Sequence, residues 1–556
     1  MSASSKKKLR KEQNAAQLTA KQQQEKAAAK KLRIQTIAFI TAIALVVGVV
    51  AVTLISRGID KSGILQNNTI AAVVGEHEIT ATEFNYFYCD LISEQYTYWS
   101  NSYGDYTNNY VSMLYGLNTT ASLDSQVYDK DTGATWADHF VESALEQAKS
   151  TYALYDAAKA EGFTLSAEAQ EEYDSTLEVF EMYADLYKAD VDDILVSTYG
   201  NGATMESFES YLTAVFHAKA YASEYADALK YDDAAYRAHE AGKENQYNSY
   251  SFASYYIGYD KFSDLGTKGD DDKVTFTDEQ KEAALAAAKA AAQGLTAATS
   301  VEEMDKLVAG LPFNKDNKSA ITSKADDVLY SELNDSLVDW LSDPARAEGD
   351  TAVVPNTTTT ENEDGTETTV TNGYFALFFR GINENLRPLA NVRHLLVAFE
   401  GGTTGTDGTK TYSDAEKEAA KKEAEELLAT WQNGDATEES FIALVKEHSD
   451  DGSAEDGGLY EDIFPGANYV DSFLDWSLDD TRKPGDTGVI ESEYGYHVMF
   501  YSSDDEMTYR DYMIYAELQE ADYTEWYDAI VEKVSATQKT DKYVNKDIVM
   551  AQASMY

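Results

Sequence analysis

Two histidines, His394 and His497, each stand on a short apolar stretch that the sequence pattern predicts to be a β-strand. The chain has only 7 histidines, so two of them on strands that are expected to pair form a candidate site. Imidazole changes its charge near neutral pH and can also donate or accept a hydrogen bond. A functional pair and a buried, hydrogen-bonded core pair are therefore both open, and composition alone favours the core pair.

The remaining residue types restrict the chemistry that these histidines could serve. The single cysteine, Cys89, excludes an intrachain disulfide, a cysteine-based zinc site and a CxxC redox centre. The sequence contains no HExxH, GxSxG or P-loop motif. We therefore expect no metal and no cofactor.

The two histidines lie in the second copy of an internal repeat. Each copy has a strand-like stretch, a capping box that opens an alanine-rich helix, a Trp with Gly-Asp-Thr beginning nine residues later, and a closing aromatic strand. The copies span residues 248–387 and 389–507, and each is expected to form one α+β domain. The first copy has Ser254 and Phe375 in place of the two histidines.

The second copy resembles a parvulin-type peptidyl-prolyl isomerase domain in several short motifs that occur in the family's order. The motifs are VRHLLV at 392–397, SDD at 449–451 with the SA and GG pairs that follow, Tyr469 with Phe473, PG at 484–485 and YGYH at 494–497. The wider layout is similar to that of the PrsA and SurA foldases, in which an N-terminal segment and the last helix form a chaperone module. The resemblance implies that the first copy is a parvulin-like domain that has lost its site.

The resemblance also assigns roles to individual residues. The catalytic group would be His394, His497, Asp451 and Ser492, in which the histidines form a hydrogen-bonded pair beneath the site and Asp451 faces the rotating carbonyl. The residues that would line the proline pocket are Leu459, Tyr469 and Phe473. The chain departs from the family pattern at two of these positions. The glycine pair runs straight into Leu459, one residue short, and Tyr469 replaces the usual Met or Leu.

The reaction that the family catalyses is rotation about the X–Pro peptide bond, which has an unaided barrier of roughly 18–20 kcal/mol. No bond is broken, so neither a nucleophile nor a metal is required. A dry apolar pocket for the proline ring and fixed polar groups around the carbonyl would favour the twisted amide. The loop at 401–411 has Lys410 as its only basic residue, so we expect no preference for phosphopeptides.

A single membrane anchor is expected near the N-terminus. Residues 34–55 are 22 uncharged, mostly apolar residues, which as a helix would extend about 33 Å and cross a bilayer core. The basic residues of the tail at 1–33 should remain on the cytoplasmic side. A signal peptide that is later removed is the alternative.

The rest of the chain is acidic and rich in tyrosine. The formal net charge of −52 argues against nucleic-acid binding. Residues 69–247 are predicted to be a mostly helical, chaperone-like module, and 508–556 a C-terminal helix that packs on it. The 40 tyrosines are expected mainly in the core, although an exposed tyrosine face could hold unfolded chains. Calcium binding by the acidic runs is a weaker alternative, because no run fits the calcium-loop pattern.

These observations predict an α+β fold with a helical module and two parvulin-like domains, preceded by one transmembrane helix. The predicted function is an extracytoplasmic foldase that isomerises X–Pro bonds and acts as a chaperone. Its partners would be unfolded or partly folded exported polypeptides, with attachment to the membrane through residues 34–55. The alternative is a holdase without turnover, in which both parvulin-like copies serve as scaffold.

Overall fold

The computed structural model describes residues 63–269, 273–317, 319–361, 366–405 and 410–553. The predicted basic tail and transmembrane helix lie outside these ranges. Within the described ranges, no helix is both long and apolar enough to cross a membrane. The described chain forms two compact units, one made of 63–230 with 519–553 and the other of 231–518. The mixed helix-and-strand class expected from the sequence is confirmed.

Residues 63–230 form a short hairpin followed by helices. Thr80 begins the first long helix, because its side chain accepts a hydrogen bond from the backbone N–H of Glu83. Tyr86, Tyr88 and Tyr199 are fully buried in the core of this unit. The elements are α1 Ile64–Asn67, β1 Ile70–Val74, β2 His77–Thr80, α2 Ala81–Tyr103, α3 Thr107–Tyr115, α4 Trp136–Glu161, α5 Ala167–Tyr187, α6 Val191–Tyr199 and α7 Met205–Ala228.

The second unit begins with a short helix and the first copy of the repeat. The elements are α8 Asp233–Glu240, β3 Ser249–Gly258, β4 Thr267–Lys268, β5 Val274–Thr275, α9 Asp278–Leu295, α10 Val301–Ala309, β6 Ser323–Leu329, α11 Asp335–Leu341, β7 Thr351–Glu361 and β8 Glu367–Asn383. The main sheet of this copy is antiparallel, with the strand order β6-β3-β8-β7.

The second copy follows with the same sequence of elements. The elements are β9 Pro388–Ala398, β10 Thr403–Thr404, β11 Lys410–Thr411, α12 Asp414–Gln432, α13 Glu438–His448, β12 Leu459–Ile463, α14 Asp471–Ser477, β13 Thr487–Glu491 and β14 Gly495–Thr508. The main sheet of this copy has the order β12-β9-β14-β13, in which each strand takes the place of its counterpart in the first sheet.

Both copies also contain a matching contact between an arginine and a tryptophan. The Arg346 guanidinium lies 4.1 Å from the ring centre of Trp340, and that of Arg482 lies 4.4 Å from the ring centre of Trp476. Each arginine donates its Nε–H to the backbone carbonyl of the same tryptophan. The copies therefore share side-chain packing as well as strand order.

The chain ends with α15 Tyr509–Val531, β15 Ala536–Gln538 and α16 Met550–Ala553. In the first unit, β15 pairs with β1 to complete a sheet of order β15-β1-β2. On the last turns of α15, the Trp526 ring stacks on Tyr225, 4.1 Å between ring centres, and also contacts Tyr221. The segment from 519 onward thus belongs to the core of the helical unit.

The second main sheet has two different faces because side chains alternate along its strands. Leu395 and Val397 of β9 lie on one face, in a core cluster with Phe441. Val392 of β9 lies on the other face, in a cluster with Phe473. Alternation places His394 on this second face, together with Val392.

Candidate active site

The strands β9 and β14 place both histidines on one face of the second sheet. They are antiparallel neighbours, and the register sets His394 opposite Met499 and His497 opposite Leu396. The histidines are therefore diagonal neighbours across the ladder, a spacing that long side chains can bridge. Both side chains are buried, with 2% exposure for His394 and 5% for His497.

The two imidazoles are joined by a direct hydrogen bond. Nδ1 of His394 lies 2.9 Å from Nδ1 of His497, and the rings are stacked with their centres 5.1 Å apart. One of these two Nδ1 atoms must carry a proton and the other must accept it. Burial, with a smaller contribution from His394, lowers the pKa of His497 to about 4. His497 is thus neutral at physiological pH.

Ser492 binds the outer nitrogen of this pair. Its Oγ lies 2.7 Å from Nε2 of His497. The turn between β13 and β14 fixes the serine, because its backbone N–H donates to the carbonyl of Gly495 and its Oγ accepts from the N–H of Tyr494. Ser492 therefore orients His497 from the side opposite to His394.

Asp451 lies at the other end of the pair. Its Oδ1 is 3.4 Å from Nε2 of His394, longer than an aligned hydrogen bond, and Nε2 has no other hydrogen-bond partner among the described residues. Ser453 donates to the same Oδ1 from its backbone N–H at 2.8 Å and its Oγ at 2.5 Å. Burial alone would raise the pKa of Asp451, but the interactions with His394 and Ser453 outweigh it and hold the pKa well below its usual range.

The partners at the two ends limit where the protons of the pair can lie. The Asp451 carboxylate can only accept, so Nε2 of His394 carries a proton. His497 is neutral, so one of its ring nitrogens donates and the other accepts, which links Nδ1 of His394 to Oγ of Ser492.

An aromatic cluster, defined here as Tyr460, Tyr469 and Phe473, packs against His394. The ring centre of Phe473 is 5.4 Å from that of His394, 5.4 Å from Tyr469 and 5.6 Å from Tyr460. Phe473 is buried, whereas Tyr469 is 37% exposed and forms the solvent side of the cluster. The predicted pocket residues Tyr469 and Phe473 are thus brought together with the histidines.

The third predicted pocket residue, Leu459, is not part of this cluster. Leu459 lies opposite Arg393 and Tyr460 opposite Val392, so the side chains of Leu459 and Tyr460 point to opposite faces of the sheet. Tyr460 occupies the place expected for Leu459. The side chain on this face of the sheet is therefore that of Tyr460, one residue later than inferred from the sequence.

The glycine pair has a structural reason in this loop. Gly458 has a positive φ of 68° and its carbonyl accepts a hydrogen bond from the backbone N–H of His394 at 2.9 Å. A Cβ at Gly458 would lie 2.1 Å from the carbonyl oxygen of His394. Only glycine allows the loop to approach β9 this closely.

The first copy has the same framework with different side chains. Ser254 lies opposite Leu377 and Phe375 opposite Tyr256, matching the register positions of His394 and His497. Its α11 places Leu337, instead of a phenylalanine, in the buried cluster. In the part of the chain that the structure describes, no group of three or more His, Cys, Asp or Glu side chains could hold a metal ion.

Two cavities of about 410 and 440 Å³ lie in the first unit and not at the histidine pair. The smaller one is lined by α4, α7 and the part of α15 that belongs to this unit, including Leu154, Ala218 and Tyr523. At the histidine pair, Tyr469 is the exposed member of the aromatic cluster.

The fold and the site define a small α+β domain built on a buried histidine pair, as in the parvulin isomerases. Residues 380–502 match the family model of the PPIC-type PPIASE domain, a range that contains all four residues of the candidate catalytic group. The chain therefore contains a parvulin-type peptidyl-prolyl cis-trans isomerase domain.

Parts of the chain are also similar to solved structures. PrsA from Bacillus cereus is 23% identical over 27% of this chain and 50% of its own, with a TM-score of 0.18. PrsA from Bacillus subtilis is 22% identical over 29% of this chain and 56% of its own, with a TM-score of 0.19. The PPIase domain of TbPar42 is 19% identical over 20% of this chain and 98% of its own, with a TM-score of 0.16. The chain thus spans about half of the Bacillus cereus PrsA structure. No curated protein matches the chain.

Proposed function

We propose that the protein is an extracytoplasmic foldase that accelerates cis-trans isomerisation of X–Pro bonds in exported polypeptides. The observation that carries the proposal is the buried His394–His497 hydrogen bond beside an ionised Asp451, inside the region that matches the isomerase family. Nothing in this arrangement requires a cofactor, since rotation about the amide breaks no bond.

The proposed role of Asp451 is electrostatic. In a planar amide, resonance places negative charge on the carbonyl oxygen, and twisting returns the electron pair to the prolyl nitrogen. A fixed carboxylate near that oxygen therefore repels the planar amide more strongly than the twisted one. This difference lowers the barrier, because only interactions that favour the transition state accelerate the reaction.

The aromatic cluster would bind the proline ring. Tyr469 offers an exposed ring beside the buried Phe473, and an apolar contact there would fix the ring while the preceding carbonyl rotates. The histidine pair would hold Asp451 at the edge of the cluster through Nε2 of His394. Ser492 would hold the ring of His497 in its orientation.

The central experiment measures relaxation of an unstructured X–Pro peptide with the purified chain from residue 59 to 556. We expect acceleration above the uncatalysed rate, and a rate reduced by roughly 10²-fold in Asp451→Ala, which removes the electrostatic contribution. The matched control is Tyr496→Phe, which removes a phenol-to-carboxylate hydrogen bond on the opposite sheet face, to Glu491. A wild-type rate equal to background would refute the isomerase proposal.

A second candidate function, holding unfolded chains without turnover, is favoured by exposed aromatic surface in the first unit. We define the aromatic arm as residues 98–115, the end of α2 with α3. Tyr98, Tyr106 and Met113 in this arm are 66%, 64% and 71% exposed. Aromatic rings of this kind bind apolar segments while their hydroxyls stay hydrated. Suppression of client aggregation that survives His394→Ala would assign this activity to a surface other than the isomerase site.

The proposed location outside the cytoplasmic membrane rests on the sequence of residues 34–55. Added protease should cleave the bulk of the chain in intact cells or spheroplasts while the basic tail at 1–33 is protected. Complete protection of the chain from protease in such cells would contradict this placement.

A further inference from the structure

The contact between Tyr460 and Asp451 points to a residue that the sequence motifs did not single out. We propose that Tyr460 is a positioning residue of the isomerase site, whose hydroxyl fixes the carboxylate of Asp451 in its working orientation. The inference rests on the proposed isomerase function and deepens it. The proposal gives the Tyr460 hydroxyl a role that is distinct from the packing of its aromatic ring.

The Tyr460 side chain is held on several sides. Its ring centre is 5.0 Å from that of His394 and 5.5 Å from that of Tyr469, both in edge-to-face contact, and it also contacts Phe473. Its hydroxyl donates to Oδ1 of Asp451 at 3.1 Å. Edge-to-face packing restricts rotation of the Tyr460 ring, so its hydroxyl has a fixed position beside Asp451.

The phenol is a permanent donor in this position. Burial raises the pKa of Tyr460, and the adjacent Asp451 carboxylate raises it further. Asp451 is ionised, so the hydrogen bond joins a neutral donor to a charged acceptor. Bonds of this type are stronger than those between two neutral groups.

The consequence for Asp451 concerns its two oxygens. The backbone and hydroxyl of Ser453 and the phenol of Tyr460 all donate to Oδ1, and His394 Nε2 faces the same atom. With Oδ1 fixed by donors from different directions, the carboxylate plane cannot rotate freely. Oδ2 is therefore the oxygen available to face a rotating carbonyl.

The pairing of β12 with β9 sets the position of Tyr460 relative to His394. Tyr460 lies opposite Val392, two residues before His394 on the same strand, and the pairing of β12 with β9 becomes irregular only after Tyr460. In the first copy, the corresponding position opposite Phe252 is Ala325. The copy without the histidine pair thus also lacks the phenol.

The test uses Tyr460→Phe, which removes the hydroxyl and keeps the ring. We expect kcat to fall about tenfold with KM unchanged, equivalent to about 1.4 kcal/mol in the barrier. Tyr460→Leu should lower kcat and also raise KM, because the leucine removes the ring that supports the aromatic cluster. Equal kcat values for Tyr460→Phe and wild type would overturn the proposal.

A double-substitution experiment asks whether the phenol acts through Asp451. If it does, Tyr460→Phe has no further effect on kcat in the Asp451→Ala background. Independent, multiplying effects on kcat would mean that the phenol contacts the substrate directly, and would overturn the positioning role.

A final measurement does not depend on turnover. Carboxyl carbon NMR titration of Asp451 should show a higher pKa in Tyr460→Phe than in wild type, because the anion loses a donor. The Tyr496→Phe control should leave that pKa unchanged. A wild-type protein without isomerase activity would refute the proposed function, whereas an unchanged Asp451 pKa in Tyr460→Phe would refute this inference.

Discussion

The backbone N–H of His394 donates to the carbonyl of Gly458 across 2.9 Å, so the acidic loop, defined here as residues 449–458, is attached to β9, the strand that carries the first histidine. This attachment places Tyr460, in the strand β12 that follows the glycine pair, against the histidine. At Gly458 the acidic loop therefore bonds to β9 through its backbone, as a neighbouring strand would.

Gly458→Ala should damage the site through its backbone. The new Cβ would lie 2.1 Å from the carbonyl oxygen of His394, at a φ of +68°, and we expect a loss of about 1–3 kcal/mol in the free energy of unfolding. Denaturant titration and the peptide assay measure the two effects. Gly452→Ala in the same loop is the control, since its Cβ would meet no atom within 4 Å. Equal losses in both variants would contradict the explanation.

His497 should make stability depend on pH. The pKa of His497 falls from the ordinary 6.5 to about 4 in the folded state, so the unfolded chain binds more protons than the folded chain between these values. The free energy of unfolding is then highest above pH 6.5 and decreases as the pH falls toward 4, by at most about 3 kcal/mol. Urea titrations at pH 7, 5.5 and 4.5 measure this loss.

His497→Phe, which copies the residue at 375 of the first copy, should reduce that slope. His448→Gln, at a partly exposed position of the same domain, should retain the wild-type slope. A wild-type slope in His497→Phe would show that other groups produce the pH dependence.

Asp90 should have the opposite pH dependence. It is buried in α2 and accepts hydrogen bonds from the hydroxyls of Tyr199 at 2.9 Å and Tyr211 at 2.8 Å. Burial raises its pKa to about 7, so its contribution to stability is complete below 3.8 and is lost as the pH rises through 7. Asp90→Asn should raise Tm at pH 8 relative to wild type more than at pH 5. Asp185→Asn, on the exposed side of α5, should not.

The arginine over Trp476 should contribute to stability and not to catalysis. Arg482→Ala removes the ring contact and the bond to the Trp476 carbonyl, and we expect a loss of about 1–2 kcal/mol in the free energy of unfolding with kcat unchanged. Arg482→Lys should recover only part, because lysine lacks the planar guanidinium. Arg237→Ala, at an exposed helix pair, is the control. A large fall in kcat at full stability would refute the structural role.

The aromatic arm should be separable from the isomerase site. Tyr106→Ser with Met113→Ser removes two of its most exposed side chains, so suppression of client aggregation should decrease while peptide isomerisation is unchanged. Light scattering of an aggregating client measures the first property. Leu65→Ser, at an exposed leucine of α1 outside the arm, is the control. Unchanged suppression in the double variant would exclude the arm as the holding surface.

The sequence motifs led to the histidine pair, because family motifs and strand periodicity are both local patterns. They did not lead to Tyr460, since its place depends on which residues of β12 face β9, and strand register is set by the folded sheet. Arg482 was missed although its signal is present: an arginine follows the tryptophan by six residues in both copies, at Trp340–Arg346 and Trp476–Arg482. The six-residue spacing is visible in the sequence, but the packing of the guanidinium on the tryptophan ring is visible only in the structure.

The two copies share one strand order, so the first copy can serve as an internal control for the second. A disturbance of the common framework, such as loss of an arginine–tryptophan contact, can be made in either copy and should weaken each to a similar degree. A substitution that acts through the histidine pair can be made only in the second copy, because the first copy has no histidines at these positions. Comparison of the two copies within a single polypeptide therefore distinguishes the effects of the shared fold from the effects of the ionisable groups.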